Sequence, residues 1–331
     1  MPSAPVRIGF VGAGTMANTH AEALTRDGRA AVAGVTDPLA PAAEAFAARW
    51  GGAATTDLEG LLGLGLDAVF VTSPNARHVE PCVRALEAGL HVFCEKPMAT
   101  SLGEAAQVRE AVRASGRSYQ IGFNRRHAPA YRAAKRAIAD GRVEPRWGHV
   151  KMNRGELLEP AWVGDESLTG GFLYESTIHM LDMLRWLLGE VVDVRGHGAR
   201  TVYPQVDDVA LLLRFEGGVT TTLCSSAHAT WLFPYERIEL YGAHAALVTE
   251  ELDRVSATVG PRAPALLEDF SLLDRLVRSG YVEEDTAFLD AVLGARAPSP
   301  DAEDAYRAVE LVEACYRAVA TGEAIALSAS E

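Results

Sequence analysis

A short apolar segment that runs directly into a glycine-rich turn restricts the possible folds more than any other feature of the chain. The apolar run from Val6 to Val11 is followed at once by Gly12-Ala13-Gly14-Thr15-Met16-Ala17. A second apolar run, from Ala31 to Thr36, ends at Asp37, about twenty residues beyond the last small residue of the turn. In a βαβ unit that binds a dinucleotide, the glycines allow a tight turn and let the backbone approach a pyrophosphate. The order of these segments therefore predicts a Rossmann fold.

The same segment contains candidate cofactor-binding residues at the start of the first helix, whose unpaired N–H groups attract phosphate. They are Gly12, Ala13, Gly14, Thr15 and Met16. We expect Asp37 to accept hydrogen bonds from the ribose hydroxyls and to repel a 2′-phosphate, which favours NAD over NADP. In the alternative, Asp37 only caps the next helix. NADP is not excluded, because Arg49 is also able to bind a 2′-phosphate.

Strands and helices continue to alternate up to about residue 123. Further strands are expected at Asp67 to Thr72, in the run His91 to Pro97, and at Tyr119 to Phe123, with a helix from about Val79 to Gly89 and another after the capping residue Ser101. Right-handed crossovers between such strands give a parallel, doubly wound α/β sheet. We therefore interpret residues 1–123 as an NAD(P)-binding Rossmann domain and residues 124–331 as a second domain that binds substrate and forms oligomers.

Lys96 ends one of these strands in the run Glu95-Lys96-Pro97. The carboxyl ends of parallel strands line the crevice in which ligands bind, so Lys96 is a candidate catalytic residue. Pro97 ends the strand and is compatible with a cis peptide bond. In the alternative, Glu95 and Lys96 form only a solvated ion pair. The remaining candidates for cofactor binding are Glu95, Lys96 and, in the loop after the preceding strand, Ser73, Pro74, Asn75 and His78.

The composition excludes several classes of protein. A formal net charge of −13 argues against binding to a phosphate backbone, and nucleic acid is not an expected partner. The absence of a long apolar run or a signal-peptide pattern favours a cytoplasmic protein without a membrane partner. The four cysteines are far apart, which predicts reduced thiols and no structural metal site.

After residue 123 the predicted strands follow one another with short connections. We expect them at Trp147 to Arg154, Val191 to Thr201, Val209 to Phe215, Val219 to Ser226 and Arg237 to Tyr241, with a hairpin turn at Glu216-Gly217-Gly218. Such strands indicate an α+β domain with a largely antiparallel sheet.

One helix in the second half carries polar residues on an apolar element. The segment from Gly170 to Gly189 contains Glu175, His179 and Asp182 among apolar residues. On a helix, Glu175 and His179 are four residues apart and share a face. Imidazole is suited to general acid–base catalysis, which makes His179 a candidate catalytic residue. In the alternative, His179 is a hydrogen-bonded core residue.

Several motifs stand in a fixed order along the chain. They are the Gly12 turn, Asp37, Ser73-Pro74-Asn75 with His78, Glu95-Lys96-Pro97, Gly122-Phe123-Asn124-Arg125-Arg126, and the run from Gly170-Gly171 to Asp182. In this order they resemble the Gfo/Idh/MocA family of NAD(P)-dependent sugar and polyol oxidoreductases. The resemblance extends over nearly the whole chain.

The resemblance implies catalytic roles for Lys96 and His179, a sugar or cyclitol substrate, and a homo-oligomer. The oligomer, a dimer or tetramer, would form through an open-faced sheet in the second domain. Candidate substrate-binding residues are Asn153, Arg154, Trp162, Glu175 and Asp182. The family usually has aspartate where Glu175 stands, so this side chain is one methylene longer than the usual ligand.

The predicted reaction is the oxidation of a secondary alcohol, or the reverse reduction. NAD accepts the hydride, His179 takes the hydroxyl proton, and Lys96 stabilises the developing negative charge. One alternative is a redox-neutral elimination with transient oxidation, which is a glycosidase by outcome. Another is an NAD-binding sensor without catalytic activity, because a fold does not determine a function.

A run of acidic residues raises a question about the substrate. Between Arg154 and Arg185 there is no Lys or Arg, but there are Glu156, Glu159, Asp165, Glu166, Glu175 and Asp182. Runs of like charge usually lie on a solvated surface. The alternative hypothesis is a substrate with amino groups, such as an amino sugar. Trp162, in the same run, is a candidate for stacking on a sugar ring.

Overall fold

The structure is a computed structural model that describes residues 4–231, 235–262 and 266–327. The chain forms two compact units. The first comprises residues up to Asn124 together with Gly280–Val309, and the second comprises Arg125–Ser279 and the residues from Glu310 onward. This division differs from the predicted single boundary after residue 123, because the segment Gly280–Val309 returns to the first unit.

The first unit contains a six-stranded parallel sheet. Its strands are β1 (Val6–Val11), β2 (Ala30–Thr36), β3 (Ala53–Thr55), β4 (Ala68–Val71), β5 (His91–Glu95) and β6 (Tyr119–Gly122). Its helices up to residue 124 are α1 (Thr15–Asp27), α2 (Ala40–Trp50), α3 (Leu58–Leu62), α4 (Val79–Glu87) and α5 (Leu102–Ser115). The predicted cap is present, since Ser101 accepts a hydrogen bond from the Glu104 N–H, and Asp57 caps α3 in the same way by accepting one from the Gly60 N–H.

The strands of the first sheet stand in the order β3-β2-β1-β4-β5-β6, and all of its pairs are parallel. The predicted Rossmann fold is therefore confirmed. The strand order reverses between β1 and β4, and the crevice at such a switch point is where dinucleotides bind. The glycine turn follows β1 and the Ser73 loop follows β4, so both predicted cofactor segments lie at this point.

The second unit contains a nine-stranded sheet among its described residues. Its strands are β7 (Trp147–Asn153), β8 (Val191–Ala199), β9 (Asp208–Phe215), β10 (Thr220–Ser226), β11 (Glu236–Gly242), β12 (Ala245–Glu250), β13 (Arg254–Val259), β14 (Leu266–Asp269) and β15 (Ile325–Ala326). Its helices between residues 125 and 279 are α6 (Pro129–Ala139), α7 (Glu166–Thr169), α8 (Ile178–Leu188) and α9 (Arg275–Arg278).

The second sheet is antiparallel except where β7 pairs with β10. Buried and exposed residues alternate along β9, which leaves one face of the sheet open. The largely antiparallel α+β architecture is confirmed, as is the hairpin turn, where Gly218 adopts a φ of 80°. Strands β12 to β15 were not predicted from the sequence, because they are short and polar or show only a weak alternation of apolar and polar residues.

The returning segment contains α10 (Tyr281–Val292) and the start of α11 (Ala302–Thr321). Helix α10 packs against α1. Its Phe288 and Leu289 are fully buried in the core of the first unit, together with Phe10, Phe70 and Phe93. This burial of aromatic surface explains why the segment belongs to the first unit. No helix of the described ranges combines the length and the apolar character needed to cross a membrane.

Candidate active site

The glycine turn is closed by backbone contacts that only glycine permits. Gly12 has a φ of 92°, and its N–H donates a hydrogen bond of 2.8 Å to the Thr36 carbonyl. A Cβ at this position would lie 3.0 Å from the Ser73 nitrogen and from the Thr72 oxygen. The turn therefore lies against the loop after β4, and a side chain at position 12 would separate the two.

The start of α1 fits a pyrophosphate. The helix begins at Thr15 with Gly14 at its N-cap, where no side chain bonds the N–H groups of the first turn and no acidic residue is present. A Cβ on Gly14 would meet nothing within 4 Å, so there is room for a ligand to approach the backbone. Gly14 and Thr15 are exposed and Met16 is half-buried. Open N–H groups at a helix N-terminus attract phosphate.

Asp37 lies across the turn from these residues. Its Oδ2 accepts a hydrogen bond of 3.0 Å from the Ala13 N–H, and its Oδ1 accepts one of 2.9 Å from the Leu39 N–H. Helix α2 begins at Ala40 with Leu39 at the N-cap and has no side-chain cap. The alternative that Asp37 is merely the cap of this helix is therefore wrong.

The Arg49 guanidinium lies over the Trp50 ring, 4.5 Å from its centroid.

His78 has a structural role that differs from the predicted cofactor contact. Its Nδ1 lies 2.6 Å from the Pro97 carbonyl oxygen and its Nε2 lies 2.7 Å from the Ser73 carbonyl oxygen. Both acceptors need an N–H, so the ring is doubly protonated. Burial disfavours this charge, but the neighbouring Cys94 sulfur and the two carbonyl oxygens favour it and raise the pKa of His78 to about 9. The buried ring thus links the loops after β4 and β5.

The other residues of the loop after β4 lie in a short turn. Pro74 precedes the 3-10 turn Asn75–Arg77, and Asn75 is buried. The Ser73 hydroxyl donates a hydrogen bond of 3.2 Å to the Arg77 carbonyl. This turn fixes the backbone of Ser73 beside Gly12.

Lys96 follows β5 directly and is half-buried, and its peptide bond to Pro97 is cis. Glu95 was predicted to contact the cofactor, but it is buried and both of its carboxylate oxygens are occupied. Oε1 lies 3.1 Å from His20 Nε2, and Oε2 accepts a hydrogen bond of 3.0 Å from the Lys96 N–H. Glu95 therefore supports the backbone at Lys96.

In the second unit, the helix with the predicted acid–base group begins with a π-helical turn, Leu173–Thr177, and continues as α8. The Ile178 N–H bonds the Leu173 carbonyl, five residues back. From residue 171 to residue 185 every residue is buried except Glu175 and His179, which are half-buried. These two side chains alone in this stretch are accessible to a ligand. Turns of π-helix are frequent at functional sites.

Arg154 holds the carboxylate of Glu175. Its Nη1 lies 3.2 Å from Glu175 Oε1 and 3.1 Å from the Ser176 hydroxyl, and its Nε donates to the Glu156 carbonyl. Asn153, the last residue of β7, is half-buried and donates its N–H to the Tyr235 carbonyl. The structure thus brings together two predicted substrate-binding residues, Arg154 and Glu175, as an ion pair next to the half-buried face.

Asp182 is not accessible to a substrate. It is 1% exposed, and its two oxygens accept hydrogen bonds of 2.6 and 2.9 Å from the Arg126 guanidinium. The predicted substrate contact is therefore replaced by a buried bidentate ion pair. Removing either partner of such a pair is strongly destabilising, because it leaves an uncompensated buried charge.

The aromatic ring next to Arg154 is that of Trp231. The Arg154 guanidinium lies 5.9 Å from the centroid of the Trp231 ring, which is stacked on Tyr235. Trp231 is 55% exposed and lies flat against Gly155, where a Cβ would be 2.3 Å from the indole. Trp162 lies half-buried in the 3-10 turn Ala161–Gly164.

Sequence reasoning missed three residues near the candidate groups: His20, Arg126 and Trp231. His20 lies within α1, and nothing in the surrounding sequence distinguishes it from the other residues of an ordinary helix. Arg126 stands in a motif that was noted, but its partner is 56 residues away in sequence. The one available signal for Trp231 was an aromatic residue next to the end of a predicted strand, which is also the pattern of ordinary packing.

The fold and the open helix N-terminus define a dinucleotide-binding protein with an added α+β unit. Family models match both parts of the chain. Residues 6–123 match an oxidoreductase family with an NAD-binding Rossmann fold, and residues 131–248 match the GFO/IDH/MocA C-terminal domain. The chain therefore belongs to the Gfo/Idh/MocA family and is an NAD-binding oxidoreductase.

Three similar proteins illustrate the relationship. The inositol 2-dehydrogenase of Ralstonia nicotianae is 31% identical over 332 residues, which cover 96% of this chain and 95% of that protein. The crystal structure of a putative myo-inositol dehydrogenase from Sinorhizobium meliloti 1021 is 27% identical, with a TM-score of 0.84 and 98% and 100% of the chains covered. GenD2 from gentamicin A biosynthesis, solved with NAD, is 25% identical, with a TM-score of 0.86 and 99% and 98% covered.

Proposed function

We propose that this protein is an NAD-dependent dehydrogenase, or a ketoreductase in the reverse direction, that acts on a secondary alcohol of a cyclic polyol or sugar. The observation that carries the proposal is that Glu175 and His179 are half-buried in an otherwise buried helix. A chain with these two side chains and an NAD-binding Rossmann unit, similar to proteins named inositol 2-dehydrogenase, has the groups that alcohol oxidation needs.

Each proposed catalytic residue has a defined task. NAD, when bound, supplies the hydride acceptor. The His179 imidazole takes the hydroxyl proton as general base. The Lys96 ammonium group donates a hydrogen bond to the same oxygen and stabilises its developing negative charge. Glu175 and Arg154 bind neighbouring hydroxyls, since an ion pair offers both acceptors and donors.

The proposed substrate is a neutral ring with hydroxyl groups. The hypothesis of an amino-group substrate depended on a run of acidic residues, but two of these residues are paired with arginines: Glu175 with Arg154, and Asp182 with Arg126. A third, Asp165, caps α7. Glu175 and Asp182, the acidic residues of the run on the helix that carries His179, therefore have little uncompensated negative charge to attract an amine.

The first test is NADH and NADPH formation at alkaline pH across inositols, hexoses, anhydrosugars and amino sugars. We expect NADH with neutral rings, and a loss of about 10²–10⁴ in kcat for His179→Ala and of about 10²–10³ for Lys96→Ala, with NADH binding retained. His197→Ala, at an exposed histidine of β8, is the matched control. Wild-type turnover in either catalytic variant would refute its assignment.

Product analysis separates the alternatives. Net NADH formation supports a dehydrogenase, whereas bond cleavage without net NADH supports the redox-neutral elimination. Tight NADH binding without any turnover, in both directions, would leave the sensor hypothesis. A higher kcat/KM for amino sugars than for their hydroxyl analogues would overturn the neutral-ring proposal.

We further propose that the protein is a homo-oligomer, a dimer or tetramer, assembled through the open face of the second sheet. Large apolar side chains are exposed on strands of this sheet, including Trp147 at 54% and Leu212 at 44%. Exposed apolar side chains on this face support its use as an interaction surface. Light scattering at several protein concentrations measures the assembly state.

A further inference from the structure

A chain of buried polar groups in the first unit connects α10, through α1, to the end of β5. Asp285 Oδ1 lies 2.8 Å from His20 Nδ1, and His20 Nε2 lies 3.1 Å from Glu95 Oε1. Glu95 Oε2 then accepts the hydrogen bond of 3.0 Å from the Lys96 N–H. His20, Asp285 and Glu95 are 0%, 1% and 7% exposed. The chain therefore ends at the backbone of the proposed catalytic lysine.

The His20 ring is a cation within this chain. Each of its nitrogens faces a carboxyl oxygen, and an ionised carboxylate accepts but does not donate, so both nitrogens carry a proton when Asp285 and Glu95 are ionised. Burial opposes this charge, but Asp285 and Glu95 outweigh burial and raise the pKa of His20. The rings of Phe93, Phe70 and Tyr281 surround it at centroid distances of 4.8, 5.4 and 5.6 Å. They exclude water, which strengthens both charged hydrogen bonds.

Contacts with His20, Lys96 and Gly122 fix the orientation of the Glu95 carboxylate. His20 holds Oε1, which leaves Oε2 to bond the Lys96 N–H. On the β6 side, a Cβ at Gly122 would lie 3.2 Å from the Glu95 carboxyl group, so the backbone there forms a close wall. The orientation of Glu95, and with it the backbone at Lys96, therefore depends on His20 remaining in place.

The cost of this cluster argues that stability is not its reason. Glu284 is also fully buried beside it, with a carboxylate oxygen within 4.8 Å of ligand atoms of His20 and Asp285, and no described residue bonds either of its oxygens. Two buried carboxylates and one cation, next to a third buried carboxyl group, cost several kcal/mol in desolvation, and well-packed apolar residues are often at least as stable. The last hydrogen bond of the cluster, from the Lys96 N–H to Glu95, connects it to the proposed catalytic residue.

We propose that His20 and Asp285 are positioning residues that act through Glu95 to hold Lys96 at the carboxyl end of β5. The inference rests on the catalytic role proposed for Lys96. It also gives the segment Gly280–Val309 a task beyond packing, since this segment supplies Asp285. A displacement of about 1 Å in a reacting group lowers turnover by on the order of a hundredfold.

The test compares His20→Gln and Asp285→Asn with Asp290→Asn. Asp290 lies on α10, as Asp285 does, and accepts a hydrogen bond of 2.7 Å from Arg29, so it fixes α10 within the first unit without reaching Lys96. We expect kcat to fall tenfold to a hundredfold in the first two variants, with KM for NAD within about twofold of wild type. Asp290→Asn keeps wild-type kcat.

Two further readouts separate positioning from general loosening. Hydrogen exchange at the Lys96 amide accelerates in Asp285→Asn, while exchange in β1 does not. The pH dependence of kcat also shifts. His20 faces Asp285, Glu95, Glu284 and Tyr281, with Lys96 beyond Glu95, so its protonation depends on the Asp285 charge. Loss of the Asp285 charge lets His20 lose its proton at lower pH, so kcat declines at lower pH than in wild type or Asp290→Asn.

The outcomes distinguish this proposal from the proposed function. If Lys96→Ala retains turnover, the catalytic assignment of Lys96 fails. If Lys96→Ala is inactive but His20→Gln and Asp285→Asn have wild-type kcat and Lys96 exchange, only the positioning proposal is refuted. If His20→Gln fails to fold, Asp285→Asn decides alone, because asparagine keeps an oxygen acceptor for the ring.

Discussion

At the residue scale, the role of a charged group in this protein depends on the partner that it bonds. Glu95 was predicted to bind the cofactor and Asp182 to bind substrate, yet His20 and Arg126 occupy them. The partners are 75 and 56 residues away in sequence, and spacing rules reach only a few residues along a helix. The local motifs therefore indicated where acids and bases stand. They did not indicate which of these groups remain accessible.

Glu284 provides a prediction at this scale. Burial raises its pKa well above 4.5; the His20 charge opposes this shift, and the Glu95 and Asp285 charges add to it. The folded state thus binds more protons than the unfolded state above pH 4.5, and the free energy of unfolding falls as pH rises, by up to about 1.4 kcal/mol per pH unit. Glutamine does not titrate. We expect Glu284→Gln to be more stable than wild type at pH 8, with a smaller difference at pH 5.

Urea unfolding at the two pH values measures this effect. Glu283→Gln, at the neighbouring half-buried position, is the control and should follow the wild-type dependence on pH. Parallel stability curves for wild type and Glu284→Gln would contradict the prediction. They would indicate that water or an ion compensates the Glu284 carboxylate in solution.

At the element scale, the regular elements were predictable and the irregular one was not. The predicted strand Val6 to Val11 has the observed bounds of β1, and β2 begins one residue earlier than predicted. The π-helical turn before α8 had no signal, because tertiary bonds anchor it. Thr177 Oγ1 lies 3.0 Å from Ser225 Oγ, which in turn donates to the Met152 carbonyl. A local sequence pattern does not contain such contacts.

The end of β7 gives a prediction for the second unit. A Cβ on Gly155 would lie 2.3 Å from the Trp231 ring, so Gly155→Ala displaces this ring and disturbs the neighbouring Arg154. We expect KM for the ring substrate to rise several-fold, KM for NAD to stay unchanged, and the free energy of unfolding to fall by about 1–3 kcal/mol. Steady-state kinetics and urea unfolding measure these changes.

A matched glycine controls this experiment. Gly217, in the turn between β9 and β10, has nothing within 4 Å of its Cβ position, and its φ is not positive. Gly217→Ala should therefore leave both KM values at their wild-type levels. An equal rise in KM for both variants, or no rise for Gly155→Ala, would show that the position of Trp231 beside Arg154 does not affect substrate binding.

At the scale of the whole molecule, the two fold classes were predictable because each depends on a periodic pattern that spans many residues. The return of Gly280–Val309 to the first unit was not, since it depends on side-chain packing across the chain. Phe288 contacts Phe70 and Phe93 in edge-to-face geometry at centroid distances of 5.3 and 5.7 Å. An apolar helix has the same pattern whichever core it joins.

The last prediction tests whether this segment is an integral part of the first unit. Phe288 is fully buried against strands β4 and β5, so Phe288→Ala leaves a cavity there and should cost about 3–5 kcal/mol. Leu293→Ala, at a residue just after α10 that is 47% exposed, is the control and should cost much less. Hydrogen exchange followed by mass spectrometry locates the loss: we expect faster exchange in β4 and β5 and unchanged exchange in β9 and β10. NADH should restore part of the lost stability, because it binds only the folded unit. If exchange accelerated in β9 and β10 but not in β4 and β5, the segment would owe its stability to the second unit.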